Sequence, residues 1–173
     1  MSTSSEHLLV RVAEPDEWHA AGELAHEAYR AGGHEGEGSE GYLDVVRNAA
    51  GRAGTGNLLV AVRGGRVVGT VTMCPPGSPE AELCGTDEYE FRYLAVAPEA
   101  WGTGVASALV HGVVDRARNA GARRLVCCVI DWNVPAHRLY AGHGFSRAPL
   151  RDWKPIPEVD LLAYELDLTG QIN

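Results

Sequence analysis

No run of roughly 18 apolar residues occurs in this chain, which excludes a membrane-spanning helix. Met1 to Glu6 is polar and lacks the basic-then-apolar pattern of a secretory leader. The four cysteines, Cys74, Cys84, Cys127 and Cys128, show no zinc-type spacing, and they read as reduced, mostly buried thiols of a cytoplasmic protein. There is no excess of positive charge: 15 basic against 23 acidic residues leave −8, which argues against general nucleic-acid binding. The balance is uneven. Residues 1–90 carry six arginines and fifteen acids (−9), and residues 91–173 carry nine basic residues and eight acids (+1). An anionic ligand prefers the second half and a cationic one the first, although acids also serve simply to keep a surface soluble. Repeats and long low-complexity linkers are absent. With 173 residues, 45% apolar and 22% charged, the chain has the size and composition of a single soluble globular domain.

Apolar spacing predicts the elements. Residues 8–13 suit a first strand. From Pro15, the steps Trp18, Ala21, Leu24, Ala25, Ala28 have helical period and end at Gly32-Gly33. Residues 31–41, with five glycines and three glutamates, read as a flexible acidic loop, and Tyr42 to Ala53 as a second helix. Leu58 to Val62 and Val67 to Met73 are strand-like, and Gly64-Gly65 between them suits a tight hairpin in which both central residues take positive φ. Pro75-Pro76-Gly77 stops the second strand, and a further acidic loop runs to about Asp87. Glu88 to Val96 is the next strand. Gly104 to Ala120 reads as a helix with Val105, Leu109, Val113 and Ala117 on one face. Leu125 to Ile130 suits a central strand covered on both faces. Pro135 to His143 is a short helix, and Phe145 to Ala148 and Leu161 to Leu166 are the last strands. The order β-α-α-β-β-β-α-β-α-β-β predicts a mixed α/β sheet.

The strongest chemical signal is Ala97-Pro98-Glu99-Ala100-Trp101-Gly102-Thr103-Gly104-Val105-Ala106, which joins a strand to a helix. Small residues at 102, 104 and 106 admit a ligand close to the backbone. The first N–H groups of the helix lack intrahelical partners and lie at its positive dipole end, so the segment suits a phosphate. The plain alternative is a tight turn with no ligand. Ser107 stands where a dinucleotide fingerprint needs its third glycine, and no Gly-Lys-Ser/Thr follows, which excludes a nucleotide P-loop.

Residues 90–109, EFRYLAVAPEAWGTGVASAL, resemble the fourth strand, pyrophosphate loop and third helix of the GNAT N-acetyltransferase superfamily. Trp101, Gly104 and Ala106 fall on its Arg/Gln-x-x-Gly-x-Gly/Ala motif, with Trp101 departing from the pattern. Asn133-x-x-Ala136-x-x-Leu139-Tyr140-x-x-x-Gly144-Phe145 resembles the family's fourth-helix signature. The tail Arg147-x-Pro149-x-Arg151-Asp152-Trp153 looks like a subgroup seen mainly in actinobacterial members. The resemblance implies one domain, with a mostly antiparallel sheet of about seven strands flanked by about four helices, and acetyl-CoA as cofactor. It further implies that the pantetheine arm pairs with backbone at Leu94, Ala95 and Val96. The pyrophosphate then sits on Trp101, Gly102, Thr103, Gly104, Val105 and Ala106, and Asn133 and Tyr140 contact the cofactor. A homodimer is in keeping with the family's habit.

Acetyl transfer to an amine requires a deprotonated nucleophile, a stabilised oxyanion and a proton or tight stabilisation for the thiolate, whose pKa is about 8.5. It needs no enzyme nucleophile, and no triad setting is visible. Tyr140 is the candidate general acid, by its place in the helix signature. Glu90 is the candidate general base, directly or through water, and Glu88 on the same strand face is the fallback. An equally weighted alternative has Glu90 only pairing with Arg92. A backbone N–H near Val96 is the candidate oxyanion donor. His137 shares a helical face with Tyr140 and reads either as a cofactor contact or as a solvated helix residue. The histidines form no ligand spacing with a supporting carboxylate, so no metal site is expected. The family's acceptor groove falls on the first two helices, their connecting loop and the loop between the last two strands. Here these bring Tyr29, His34, Glu35, Glu37, Glu40 and Tyr42, then Asp152 and Trp153, with Arg92 as a further substrate contact. Carboxylates beside aromatic walls suit a small cationic amine. The competing readings are a catalytically silent acyl-CoA sensor and an acetyltransferase of protein amino groups.

Overall fold

A computed structural model describes residues 7–35, 39–54 and 56–170. The strands are β1 (Leu9–Val12), β2 (Leu58–Arg63), β3 (Arg66–Cys74), β4 (Glu88–Val96), β5 (Arg124–Ile130), β6 (Ser146–Arg147) and β7 (Leu161–Asp167). The helices are α1 (Trp18–Ala31), α2 (Glu40–Arg47), α3 (Val105–Asn119) and α4 (Val134–Gly142). The seven strands form one sheet in the order β1-β2-β3-β4-β5-β7-β6. β1 with β2, β2 with β3, β5 with β7 and β6 with β7 run antiparallel, and β4 pairs β5 in parallel over Glu88–Glu90. Among the described residues no helix is long and apolar enough to cross a membrane.

The mixed α/β sheet and its four helices follow the expected order, and the differences lie at element ends. The second helix is shorter than residues 42–53. It ends at Arg47, and the chain turns through Asn48 before a 3-10 turn over Ala50–Arg52. The reason lies a few residues on: Arg52 is buried, and its guanidinium donates to the carbonyls of Val45 (2.6 Å), Val46 (2.9 Å) and Asn48 (3.2 Å), capping α2 from beyond its end. The strand expected at residues 145–148 is reduced to Ser146–Arg147, paired with Glu165 and Tyr164 of β7. Gly64 and Gly65 take φ of 59° and 74°, as the hairpin requires.

By contact density the chain divides into two compact units, Met1–Thr72 with Tyr93–Gly112, and Met73–Arg92 with Val113–Asn173. In the first, Ala13, Ala21, Ala49, Ala53, Leu58 and Val60 form one buried cluster, and Ala25, Ala28, Val46, Tyr93 and Ala95 another. α3 lies on the sheet at two glycines. A Cβ at Gly69 of β3 would stand 2.8 Å from Val105 Cγ1 and 2.9 Å from Leu109 Cδ1, and one at Gly112 would stand 2.8 Å from Val10 Cγ1. In the second unit, β5 buries Leu125, Val126, Cys127 and Val129, and β7 buries Ala163 and Tyr164.

The Gly69 contact is tight enough to test. Gly69→Val should overpack this interface, destabilise the fold by about 1–3 kcal/mol and lower Tm by several degrees. A thermal melt and a urea titration measure both, and an unchanged melt would mean that α3 does not sit against β3 at this position.

Candidate active site

In the first unit β4 ends at Val96, and a 3-10 turn over Pro98–Ala100 leads into Trp101 to Gly104 and then α3. Trp101 donates its amide to the Pro98 carbonyl (3.2 Å) and its indole N–H to the Val96 carbonyl (2.8 Å), while 49% of the residue stays exposed. The Trp101 amide and the Val96 carbonyl therefore already have partners, and the cradle of amides begins at Gly102. Gly102 and Gly104 take φ of 74° and 90°, and a Cβ at either would meet nothing within 4 Å. These are conformations that L side chains rarely adopt, beside open space. The first intrahelical bond of α3 runs from Ala108 N–H to the Gly104 carbonyl (3.1 Å), so the amides of Gly104, Val105 and Ala106 precede the ladder at the positive dipole end. Residues Gly102 to Ala106 thus fit the diphosphate of an acyl-CoA.

The opposite end of the same strand segment is strained. Tyr93 has φ of 58°, the single positive φ at a non-glycine residue among those described. Its ring lies under the Arg52 guanidinium, 4.1 Å from ring centroid to carbon, a cation–π contact in a buried setting. Arg52 therefore joins the end of α2 to β4. Neither residue carries a sequence motif. The one available signal was an arginine inside an otherwise apolar stretch, which the helix expected at residues 42–53 disguised.

Near Tyr93 and Ala95, Tyr29 packs on the second core cluster. The Tyr29 and His34 rings are 4.8 Å apart, Tyr29 and Tyr42 are 6.1 Å apart, and His34 and Tyr42 are 6.4 Å apart. These three predicted residues form one aromatic group. Burial holds the His34 imidazole below its usual pKa, so the ring is neutral at pH 7. Glu35 is paired with Arg30 at 2.8 Å, so its charge is partly neutralised. Glu40 opens α2, and Glu37 lies outside the described residues.

In the second unit Glu90 is fully buried. Its Oε1 accepts the backbone N–H groups of Glu82 (3.0 Å), Leu83 (2.7 Å) and Cys84 (3.1 Å), and its Oε2 is buried with no hydrogen-bond partner. Burial raises the carboxyl pKa against the three amides, which lower it. Arg92 donates to the Glu80 carbonyl (2.9 Å) and sits 3.6 Å from the Glu82 carboxylate. Glu88 has a different setting on the same strand. Arg151 grips both its oxygens (2.8 and 2.6 Å), Arg124 adds a third contact (3.4 Å), and the Gly85 amide donates to it (2.9 Å). These bonds hold its carboxyl down at about 2. A carboxylate that acidic is a poor proton acceptor, so Glu88 is an ion-pair anchor rather than a fallback base.

Tyr140 is 5% exposed, with its ring 5.5 Å from Phe91, 5.8 Å from Phe145 and 6.1 Å from Tyr164. Burial pushes its hydroxyl well above the usual tyrosine range, so it stays protonated. Asn133 caps α4, its Oδ1 accepting the Ala136 N–H at 3.3 Å. His137 is a tie rather than a solvated residue. Nε2 faces the Ile130 and Asp131 carbonyls (both 3.1 Å) and so carries the proton, which makes Nδ1 the acceptor of the Tyr164 hydroxyl (2.7 Å). Trp153 forms a bridge with Leu161, and Asp152 is held by Arg147 (2.8 and 2.7 Å) and the Ala163 amide (2.7 Å).

The strand end, glycine loop and helix start of the first unit form the kind of site that takes a diphosphate. The sequence profile of the Acetyltransferase (GNAT) family matches residues 18–145, and this chain belongs to that family. Its members are acyl-CoA-dependent N-acetyltransferases that use acetyl-CoA. N-acetyltransferase 8B of Rattus norvegicus is 33% identical over 104 residues, covering 60% of this chain and 45% of that protein. N-acetyltransferase family 8 member 2, also from Rattus norvegicus, is 34% identical over 92 residues, covering 53% and 39%. The chain thus spans less than half the length of the curated relatives it matches. Among solved structures, an N-acetyltransferase from Staphylococcus aureus Mu50 shares the fold with a TM-score of 0.69 at 23% identity, covering 94% of this chain and 99% of that one. yncA from Salmonella typhimurium, solved with its cofactor acetyl-CoA, gives 0.67 at 20% identity, covering 96% and 97%.

The Glu88 pair carries a pH signature. Its carboxyl is depressed to about 2 from an ordinary value of 4.5, so the stabilisation is full above about pH 4.5 and is lost as pH falls through about 2. Arg151→Met should destabilise the protein by about 2–3 kcal/mol at pH 7, and that difference should shrink steadily below pH 4.5. Urea unfolding of both proteins across pH 3–7 tests this. A difference independent of pH would mean that Arg151 acts through packing alone.

Proposed function

We propose that this chain moves an acetyl group from acetyl-CoA to the primary amine of a small cationic substrate, by direct attack with both bound. When bound, acetyl-CoA supplies an activated thioester. The backbone of Leu94 to Val96 and the amides from Gly102 to Ala106 are the residues assigned to it, with Asn133 free to offer its side-chain N–H groups because only its oxygen is engaged in the cap. The amine must shed a proton before it attacks. Glu90 is assigned that role through a water at Oε2, the oxygen that no protein donor satisfies, and its raised pKa suits a base working near neutrality. Its Oε1 meanwhile keeps the 82–84 segment in place. Tyr140, kept protonated by burial, is assigned as the donor to the departing sulfur. The transfer forms the N–C bond and breaks the C–S bond, one proton leaving the amine and one reaching the thiolate.

The observation that carries the acceptor class is the Tyr29–His34–Tyr42 group. Three neutral aromatic rings lie within 6.4 Å of one another, beside Ala95 of the strand assigned to the cofactor arm. Such a group attracts an ammonium through its ring faces. With Glu35 tied to Arg30, ring contact rather than a free carboxylate supplies the larger share of that attraction. Trp153 and Arg92 are the remaining assigned contacts. The single-domain organisation belongs to the same reading.

Two measurements test it. Turnover of acetyl-CoA with paired cationic and neutral amines across a salt series should show a higher kcat/KM for the cationic member. Salt should depress that reaction only modestly, because cation–π contacts depend less on screening than exposed ion pairs do. Equal or better activity on neutral amines removes the cationic acceptor, and binding of coenzyme A with no turnover on any amine leaves a silent acyl-CoA module. In pH–rate profiles, Tyr140→Phe should lower kcat by about 10²-fold with little change in KM for acetyl-CoA. Glu90→Gln should lower kcat similarly and abolish the acidic limb. Profiles that overlay the wild type assign both side chains to structure alone.

A further inference from the structure

The segment from Ala97 to Ala106 contains one charged residue, Glu99, and no cation. Trp101, at the motif position of an arginine or glutamine, keeps its indole on the Val96 carbonyl. Yet a guanidinium is present there. Arg63, the last residue of β2, donates from Nη1 to the Thr103 hydroxyl (3.1 Å) and from Nη2 to the Thr103 carbonyl (3.3 Å). Thr103 lies between the two glycines whose positive φ opens the cradle. We propose that Arg63 is the cationic contact for the diphosphate of the acyl donor, supplied from β2 to a loop that carries none of its own. The inference rests on the assignment of that loop to the cofactor.

The backbone explains how a residue forty positions away reaches the loop. The β2–β3 register slips between Ala61 and Val62, which pair with Gly69 and Val67, so Val68 is an extra residue in β3. Its carbonyl accepts the Ala97 N–H at 2.9 Å, where the chain leaves β4 for the loop. The bulge is thus bonded to the root of the loop, and Arg63 follows it directly at the hairpin end of β2.

The charge is available. Elsewhere in the same unit Arg11, Arg30 and Arg47 each face a carboxylate at 2.6, 2.8 and 3.1 Å, and Arg52 is buried on carbonyls. Among the described residues Arg63 is bonded to Thr103 and to no carboxylate. A guanidinium has five N–H donors in a planar fork, and Thr103 engages two, which leaves three for an anion. Its charge also adds to the positive end of α3. The alternative is that Arg63 only braces Thr103, and a test must separate the two.

Isothermal calorimetry with coenzyme A and with pantetheine, which lacks phosphates, does so. Arg63→Ala should weaken coenzyme A by about 10-fold or more and flatten the salt dependence of its affinity, while pantetheine binding is unchanged. Arg63→Lys should lie between, because it keeps the charge and loses the fork. Trp101→Arg placed in Arg63→Ala should recover affinity for coenzyme A by returning a guanidinium to the loop. Equal coenzyme A affinity in Arg63→Ala and wild type overturns the proposal, and so does an equal loss for both ligands, which would assign Arg63 to loop support. Gly104→Glu, which sets a carboxylate in the cradle, is the control. If it too leaves coenzyme A binding intact, the loop assignment fails rather than the role of Arg63.

Discussion

Everything in the first unit depends on how closely α3 can approach the sheet. The absence of a side chain at Gly69 lets Val105 and Leu109 rest directly on β3, and Gly112 does the same against Val10. A Cβ at either position would stand under 3 Å from these side chains, so the packing between helix and sheet would have to shift, and close-packed interiors transmit such shifts. Because Val105 opens α3, its seat on β3 also fixes the amides just before it. The glycine loop is therefore placed by core packing one residue away, and the bonds from Ala97 to Val68 and from Trp101 to Val96 hold its other end.

The second unit is organised by carboxylates that face inward. Glu88 and Glu90 stand two residues apart on β4, on one face, yet their chemistry is opposite. Two arginines and an amide hold Glu88 ionised. Glu90 has amides on one oxygen and no partner on the other, and desolvation pushes its pKa the opposite way. Together they fix the segment from Glu82 to Gly85, since four successive backbone N–H groups there donate to these two side chains. A buried carboxyl with one unsatisfied oxygen is costly, and the three amides on its other oxygen offset part of that cost.

Strain is concentrated in the same strand. Tyr93 holds a left-handed conformation with Arg52 stacked on its ring, and Arg52 is in turn fixed by carbonyls at the end of α2. The cost of such a backbone, about 1–3 kcal/mol, persists only where surroundings over-determine it. The helix end, the arginine and the strand are therefore one mechanical piece, and the Tyr29–His34–Tyr42 group rests against it.

The residue pattern by itself determined the class of fold, the element order, the Gly64-Gly65 hairpin, the glycine loop and the start of α3. All of these rest on interactions within a few residues: alternation, helical period, and φ values open only to glycine. It also brought Tyr29, His34 and Tyr42 under suspicion as one group, because they flank a single loop. Tertiary structure alone decided which charges are engaged. Glu35 is tied to Arg30, Glu88 meets Arg151 sixty-three residues on, Arg52 ends a helix early, and Arg63 reaches Thr103 across forty residues. Such side-chain partners, whether five residues away or sixty-three, leave no periodic trace, since any long cationic side chain brought near by the fold can fill the role. Glu90 shows the same limit. Its place on the strand was legible, but its two unequal oxygens were not, because desolvation depends on what the rest of the chain packs around it.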